Sequence, residues 1–380
     1  MRTSPVTYAT PGQPASYTWE ATSEEVAQRY GLPIDSIVRF DLNTSPSPPA
    51  LIQQLIALGR FDTPLSEYPP GDYGRLIAAA AARYGVGTDE LIVGAGADEI
   101  LDIIAKTFLP VGGAAVVPTP TYAMYRVDTE QRGATVLAVP RLPDRDWILD
   151  LGSTREAARV ADVVWLCSPN NPTAMPEPNG AIAELLAGIL ADAAADGRHA
   201  PVVVLDEAYA EFTGTTLLNL RSDYPNLVVI RTASKAYALA GLRVGFAIAR
   251  PDLIARMNPY RPPGSVSVVS VTLVTEALLD DTILEANLQR VAVERERLAA
   301  ALRGIGWSVG PSVTNFLLVA FGTPDIAAAV GERLLAAGLV PRTFPAGHPL
   351  VDHLRITVRA PDEDDRFIAA ARTIAQEMHT

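Results

Sequence analysis

Between residues 75 and 250 the chain repeats one pattern, a short apolar run followed by a stretch with helical spacing. Runs that are apolar at consecutive positions and too short for helices read as strands buried on both faces, and helices between them supply the crossovers that parallel strands require. The pattern predicts strands at 114–117, 135–139, 163–166, 202–205, 227–231 and 244–249, with helices at 98–108, 122–132 and 179–195. The fold class is therefore α/β, a mainly parallel sheet flanked by helices. Only about ten residues separate Arg231 from Arg243, fewer than a helical crossover needs, so the strand at 244–249 is expected to run antiparallel. After a helical stretch at 267–303 the pattern changes to a strand (315–321), a helix (325–337), two strands (339–343 and 354–358) and a last helix (362–377). That is a smaller α+β unit. The expected organisation is an N-terminal arm and the start of the small domain over 1–45, a large domain over 46–265, and a connecting helix with the small C-terminal domain over 266–380. Residues 1–20 read as an irregular arm, and Thr22-Ser-Glu-Glu25 has the form of a capping box. A ligand cleft is expected between the two units, at the carboxyl ends of the parallel strands.

Composition narrows the possible functions. Nearly half of the residues are apolar, 48%, yet no run approaches the roughly 18 residues of a membrane span. The N-terminus from Met1 has no apolar segment leading to a cleavage site, so a soluble, cytoplasmic protein without membrane association is the expectation. A formal net charge of −12 argues against nucleic acid as a partner. Cys167 is the only cysteine, which excludes an internal disulfide, and His199, His348, His353 and His379 lack ligand spacing, so no metal is expected. Of 31 basic residues only Lys106 and Lys235 are lysines. Any anionic ligand must be met locally, by arginines.

That scarcity makes Lys235 conspicuous. It lies in Arg231-Thr-Ala-Ser-Lys-Ala-Tyr-Ala-Leu-Ala-Gly-Leu-Arg243, directly after an apolar run. A buried lysine amine has a lowered pKa and can form a Schiff base with an aldehyde. Lys106, four residues after Asp102, reads instead as an exposed ion pair along a helix. Asp206 ends the apolar run at 202–205, where it can form a turn, bind Mg²⁺, or hold a proton on a heteroaromatic nitrogen. Gly94-Ala-Gly-Ala-Asp98 precedes a helix. It is either a glycine turn with Asp98 as N-cap or a backbone cradle for phosphate. Its glycines do not match a dinucleotide fingerprint. Asn171, in Ser168-Pro-Asn-Asn-Pro-Thr173, marks a turn whose amide can reach a ring oxygen, and Tyr122 either packs or stacks on a ring.

Taken in order, several segments resemble the fold-type-I pyridoxal-phosphate enzymes, and specifically the histidinol-phosphate aminotransferase family. They are Asp41-Leu-Asn43, Tyr68-Pro-Pro-Gly-Asp-Tyr73, Gly94 to Ile100, Pro120-Thr-Tyr122, Ser168 to Thr173, Asp206-Glu-Ala-Tyr209, Ser234-Lys235 with Arg243, Asn315-Phe316 and Leu354-Arg-Ile-Thr-Val358. The resemblance implies that Lys235 is the Schiff-base lysine, Asp206 pairs with the pyridine nitrogen, Asn171 and Tyr209 hydrogen-bond the phenolic oxygen, and Tyr122 stacks on the ring. It places the cofactor phosphate on the backbone of Ala97 and Asp98, the hydroxyls of Thr232 and Ser234, the guanidinium of Arg243, and Tyr68 reaching across from a second subunit of a homodimer. Arg355 looks like the arginine that forks onto a substrate carboxylate, Arg342 like a further anion contact, and Asn43 like a pocket-lining amide. The chain departs from the family at Ala174 and Ala233, where glycine and leucine are usual. It departs again at Thr44-Ser45-Pro46, where an acidic residue is more common, and at Ser16-Tyr17-Thr18-Trp19, a loose match to an entry motif rich in proline and tyrosine. The implied activity is transfer of an amino group between glutamate or 2-oxoglutarate and an imidazole-bearing phosphate ester. Other readings are an aromatic amino acid aminotransferase, a pyridoxal-phosphate decarboxylase of a phosphorylated amino acid, and, outside enzymes, a cofactor-binding regulatory module.

Overall fold

The computed structural model describes residues 16–378; the first fifteen residues of the expected arm, and His379, lie outside them. Helix α1 (Ser23–Tyr30) opens with the expected capping box: Thr22 Oγ1 accepts from the Glu25 N–H, and the Glu25 carboxylate accepts from the Thr22 N–H. There follow β1 (Val38–Arg39), α2 (Ala50–Leu58), α3 (Gly74–Tyr84), β2 (Leu91–Gly94), α4 (Gly96–Phe108), β3 (Ala114–Thr119), α5 (Met124–Gln131), β4 (Thr135–Pro140), α6 (Leu151–Ala158), β5 (Val163–Cys167), α7 (Ala181–Ala195), β6 (Val202–Asp206), β7 (Leu227–Thr232) and β8 (Gly245–Ala249). Strands β2 to β8 form one sheet in the order β2-β8-β7-β6-β5-β3-β4. Strands β3 to β7 pair in parallel, whereas β8 runs antiparallel to both β7 and β2. The short connection before β8 therefore acts as the sequence predicts. Strand β2 was not among the expected strands. Four residues long and followed after one residue by a helix, it offers too short an apolar run to separate from the helix it feeds.

The sheet's two faces are covered by separate apolar clusters, one built around α3, α7 and α9 (Val268–Leu279), the other around α4 and α8 (Pro251–Met257). The expected single helix at 267–303 is two helices. Asp280 leaves the helical backbone region, and its carboxylate accepts from the Thr282 N–H, so that it starts α10 (Asp281–Gly304). An aspartate competing for backbone N–H groups breaks a helix that its apolar spacing alone would continue.

The rest of the chain is β9 (Ser308–Val309), β10 (Phe316–Ala320), α11 (Pro324–Ala336), β11 (Leu339–Val340), β12 (His353–Thr357) and α12 (Pro361–Met378). Strands β12, β10 and β9 make a separate antiparallel sheet. The N-terminal β1 pairs in parallel with β11, and α11 and α12 pack with it around Phe40, Leu317, Ile356 and Phe367, all buried. The expected strand at 339–343 is only two residues long. The chain then meets β12 again at one point, where Arg342 and Arg355 exchange both backbone hydrogen bonds at 3.0 Å.

Candidate active site

The carboxyl ends of the parallel strands open on a cavity of about 640 Å³. It lies where the large sheet faces β1, β12 and the segment after β1. All of the candidate cofactor- and substrate-binding residues line it except Tyr68, which is 90% exposed and not among its lining residues.

Asp206 is the last residue of β6. One carboxylate oxygen accepts from the Tyr125 hydroxyl (2.7 Å), the other from the Ala208 N–H (2.9 Å). Burial nonetheless pushes its pKa up to about 6, against the lowering effect of those donors. A desolvated carboxylate with few donors is a receptor for a cation. Lys235 follows β7 and is only partly buried by neighbouring atoms, yet the enclosure of its ammonium pulls its pKa down to about 8, with Arg355 adding repulsion. Its Nζ donates long hydrogen bonds to the carbonyls of Leu42 (3.5 Å) and Asn43 (3.4 Å). The amine is thus held lightly and gives up its proton more readily than an exposed lysine.

Anion-binding groups gather at the other wall. Helix α4 begins at Gly96, so the N–H groups of Ala97 and Asp98 sit in its first turn without intrahelical acceptors. Asp98 is not the N-cap; its carboxylate accepts from the Tyr122 hydroxyl (2.9 Å) and from Arg243 (2.9 Å). Gly96 has φ +84°, and a Cβ there would collide with the Arg243 guanidinium, while a Cβ on Gly245 would overlap the backbone of Gly96 and Ala97. Those two glycines let β8 and the start of α4 come together. The hydroxyls of Thr232 and Ser234 are 3.0 Å apart and complete this wall.

Across the cavity, substrate-side and ring-side groups are wired in pairs. Arg355 donates to the Asn171 side-chain oxygen (2.6 Å), which leaves the Asn171 NH₂ free to point elsewhere. The Asn43 amide donates to the Tyr209 hydroxyl (3.0 Å), which leaves Tyr209 its own proton to give. Arg355 also donates to the Asp41 carbonyl, and its Nε is buried without a partner. Asn43 and Arg243 both have positive φ (52° each), the kind of backbone cost that clusters at functional sites. Ala174, at the glycine position of the Asn-Pro-Thr turn, has φ 66° and is fully buried.

One residue behind the cavity wall carries no expectation from the sequence. Tyr125 is fully buried, stacks on Trp165 (5.7 Å between ring centres) and holds Asp206. Its position three residues after Tyr122 on the same helical face was the available signal. Tyr17 and Trp19, from the arm segment that loosely matches the family's entry motif, reach the cavity mouth. Among the described residues, no cluster of His, Cys, Asp or Glu could hold a metal ion, and no helix is long and apolar enough to cross a membrane.

These groups fit one ligand, a flat heteroaromatic cation with a phosphate arm and an aldehyde. The class of protein so defined is the pyridoxal-phosphate-dependent enzymes of fold type I. A family model described as aminotransferase class I and II matches residues 38–371, and the chain belongs to that family, whose members are pyridoxal-phosphate-dependent aminotransferases. It is 35% identical over 371 residues to the histidinol-phosphate aminotransferase of Roseiflexus castenholzii, covering 94% of this chain and 95% of the relative. The crystal structure of histidinol-phosphate aminotransferase from Sinorhizobium meliloti in complex with pyridoxal-5'-phosphate superposes with a TM-score of 0.83 at 24% identity, over 95% and 96% of the two chains. L-threonine-O-3-phosphate decarboxylase from Porphyromonas gingivalis shares the fold too, with a TM-score of 0.73 at 23% identity over 90% and 100%. Fold alone does not separate transamination from decarboxylation.

Proposed function

We propose that this aminotransferase exchanges the amino group of histidinol phosphate with 2-oxoglutarate, as a cytoplasmic homodimer in which Tyr68 of one subunit completes the other's phosphate site. The domain limits proposed with it are 46–265 for the cofactor unit and 266–380, with the arm, for the smaller one. Bound in the cavity, pyridoxal phosphate supplies an aldehyde for amines and an electron-withdrawing ring that acidifies the substrate Cα–H. Lys235 would hold the cofactor, and its amine would accept and return the proton at the substrate Cα; a pKa near 8 suits an amine that must be both acceptor and donor. Asp206 would hold the proton on the ring nitrogen. Asn171 and Tyr209 would donate to the phenolic oxygen, and the phosphate would be held by the backbone of Ala97 and Asp98 and the side chains of Thr232, Ser234 and Arg243. Tyr122 would cover the ring.

The observation that carries the substrate assignment is the pairing of Arg342 with Arg355. Directly opposed residues of antiparallel strands put their side chains on one face, and both line the cavity. Two adjacent guanidiniums suit a phosphate dianion or the two carboxylates of glutamate. Arg355 uses two of its five N–H groups on Asn171 and Asp41, leaving donors for a substrate anion. The aromatic mouth of Tyr17, Trp19 and Tyr122 also favours a second reading, an aromatic amino acid aminotransferase. Kinetics with a detected keto product decide between them. Arg342→Ala should weaken kcat/KM for histidinol phosphate and glutamate by a charge-assisted contact of about 1.5–3 kcal/mol, and affect phenylalanine less. Equal losses on phenylalanine and histidinol phosphate would remove this division of roles, and a wild type preferring phenylalanine would move the assignment to the aromatic reading.

A further inference from the structure

Arg342 is already engaged by the arm. Its Nη1 donates to the Thr18 carbonyl (2.7 Å), its guanidinium lies 5.3 Å from the Tyr17 ring centre, and the Glu20 carboxylate is 3.7 Å from Nη1. Glu20 is fixed from the other side, since its Oε1 accepts from both the N–H (2.7 Å) and the hydroxyl (2.9 Å) of Thr343. Both side chains of the pair are only 15% exposed, so water screens them weakly. Arg355, by contrast, is met among the described residues by neutral oxygens, those of Asn171 and Asp41. Among the described residues the arginine pair therefore has one carboxylate in contact with it, and that carboxylate sits on Arg342.

We infer that Glu20 is a specificity-determining residue, which tempers the positive charge that Arg342 shows to the far end of the substrate. This inference rests on the proposed role of Arg342 as an anion contact. A fixed carboxylate behind the arginine repels a ligand anion in front of it, and the repulsion scales with ligand charge. Glu20 thus works against phosphate esters twice as strongly, in free energy, as against a single carboxylate. It leaves a neutral ring untouched. The same repulsion hastens departure of anionic products, which would otherwise be held by two guanidiniums.

Glu20→Gln tests this, because the amide keeps the oxygen that Thr343 needs and loses only the charge. With the holoenzyme, kcat/KM is measured for phenylalanine, glutamate and histidinol phosphate, and inorganic phosphate is titrated against the cofactor's absorbance. The expected result is no change for phenylalanine and a gain of roughly fivefold for glutamate at an effective dielectric between protein and water. Histidinol phosphate should gain by about the square of the glutamate factor, phosphate should bind more tightly, and added salt should shrink the gains. No change for any ligand, a loss, or an equal change for all three overturns the inference, since loosening of the arm would not sort ligands by charge. If the wild type does not use histidinol phosphate, the substrate proposal fails by itself, and the ratio of glutamate to phenylalanine still decides the role of Glu20.

Discussion

The two ends of the cavity are built differently. At the cofactor end, the groups gather around the carboxyl ends of adjacent strands in one sheet and are fixed by near neighbours: Asp206 by buried Tyr125 and Ala208, Tyr125 by buried Trp165, and the half-exposed Arg243 by Asp98. At the substrate end, the groups come from three places far apart in sequence, the arm at Tyr17 to Glu20, the segment at Asn43, and the Arg342–Arg355 pair. There, among the described residues, charges are met by carbonyls, an amide and a single carboxylate. The contrast places the chemistry in the rigid sheet and the choice of substrate in contacts between parts.

The largest effect that would break this contrast is at Asp206. Asp206→Asn should lower turnover by about 10²-fold or more while reducing cofactor occupancy far less, because shape is kept and the charge opposite the ring nitrogen is lost. The same variant has a signature without cofactor. Burial raises the folded-state pKa of Asp206 to about 6, so ionising it costs stability as pH rises from its ordinary value through 6. Apo Asp206→Asn should therefore be more stable than apo wild type above pH 6, on the order of 2–3 kcal/mol, with the gain vanishing below pH 4. Denaturant midpoints at pH 4 and pH 8 check this. A difference independent of pH would mean that Asp206 is not the strained carboxylate of the site.

A smaller effect sharpens the same end. Tyr125→Phe removes the donor that lowers the Asp206 pKa, so the midpoint of that pH-dependent stability should move to higher pH, and turnover should fall by roughly tenfold or less. The other groups facing the carboxylate, Asp98 and Lys235, stay in place. An unmoved midpoint would reduce Tyr125 to packing.

The smallest effect is at Ala174. A left-handed alanine costs about 1 kcal/mol, whereas the methyl group it buries contributes about 0.8 kcal/mol. Ala174→Gly should change stability by under about 1 kcal/mol with substrate preference intact. A larger loss, seen in denaturant melts, would show that the methyl packs more tightly against Ala208, Tyr209 and Phe316 than its area implies.

These differences also explain what the sequence made legible. Alternating apolar runs disclose the parallel strands, and the short link before β8 discloses its reversal, because burial on both faces and connection length leave local marks. Lys235 and Asp206 stand at strand ends, where local order predicts exposure to a cleft. The partner of Asp206 was hidden, since a tyrosine inside a helix looks like packing until the sheet brings Trp165 against it. The engagement of Arg342 by Glu20 was hidden more deeply. The two lie over 300 residues apart, and only the fold joins them. Asp280, read as the interior of one helix, ends one and starts another because its side chain satisfies a backbone N–H that periodicity does not register.

The central claim is that Lys235 carries the cofactor, and the chain makes it easy to test because Lys106 is its only other lysine. Lys106 is paired with Asp102 in a partly exposed i,i+4 ion pair on α4. The native, cofactor-loaded protein is reduced with borohydride, digested, and its peptides are mapped by mass. The account predicts one pyridoxyl adduct, on the peptide containing Lys235, and none when Lys235 is replaced by alanine. An adduct on Lys106, or a loaded wild-type protein that yields no adduct at all, would contradict it.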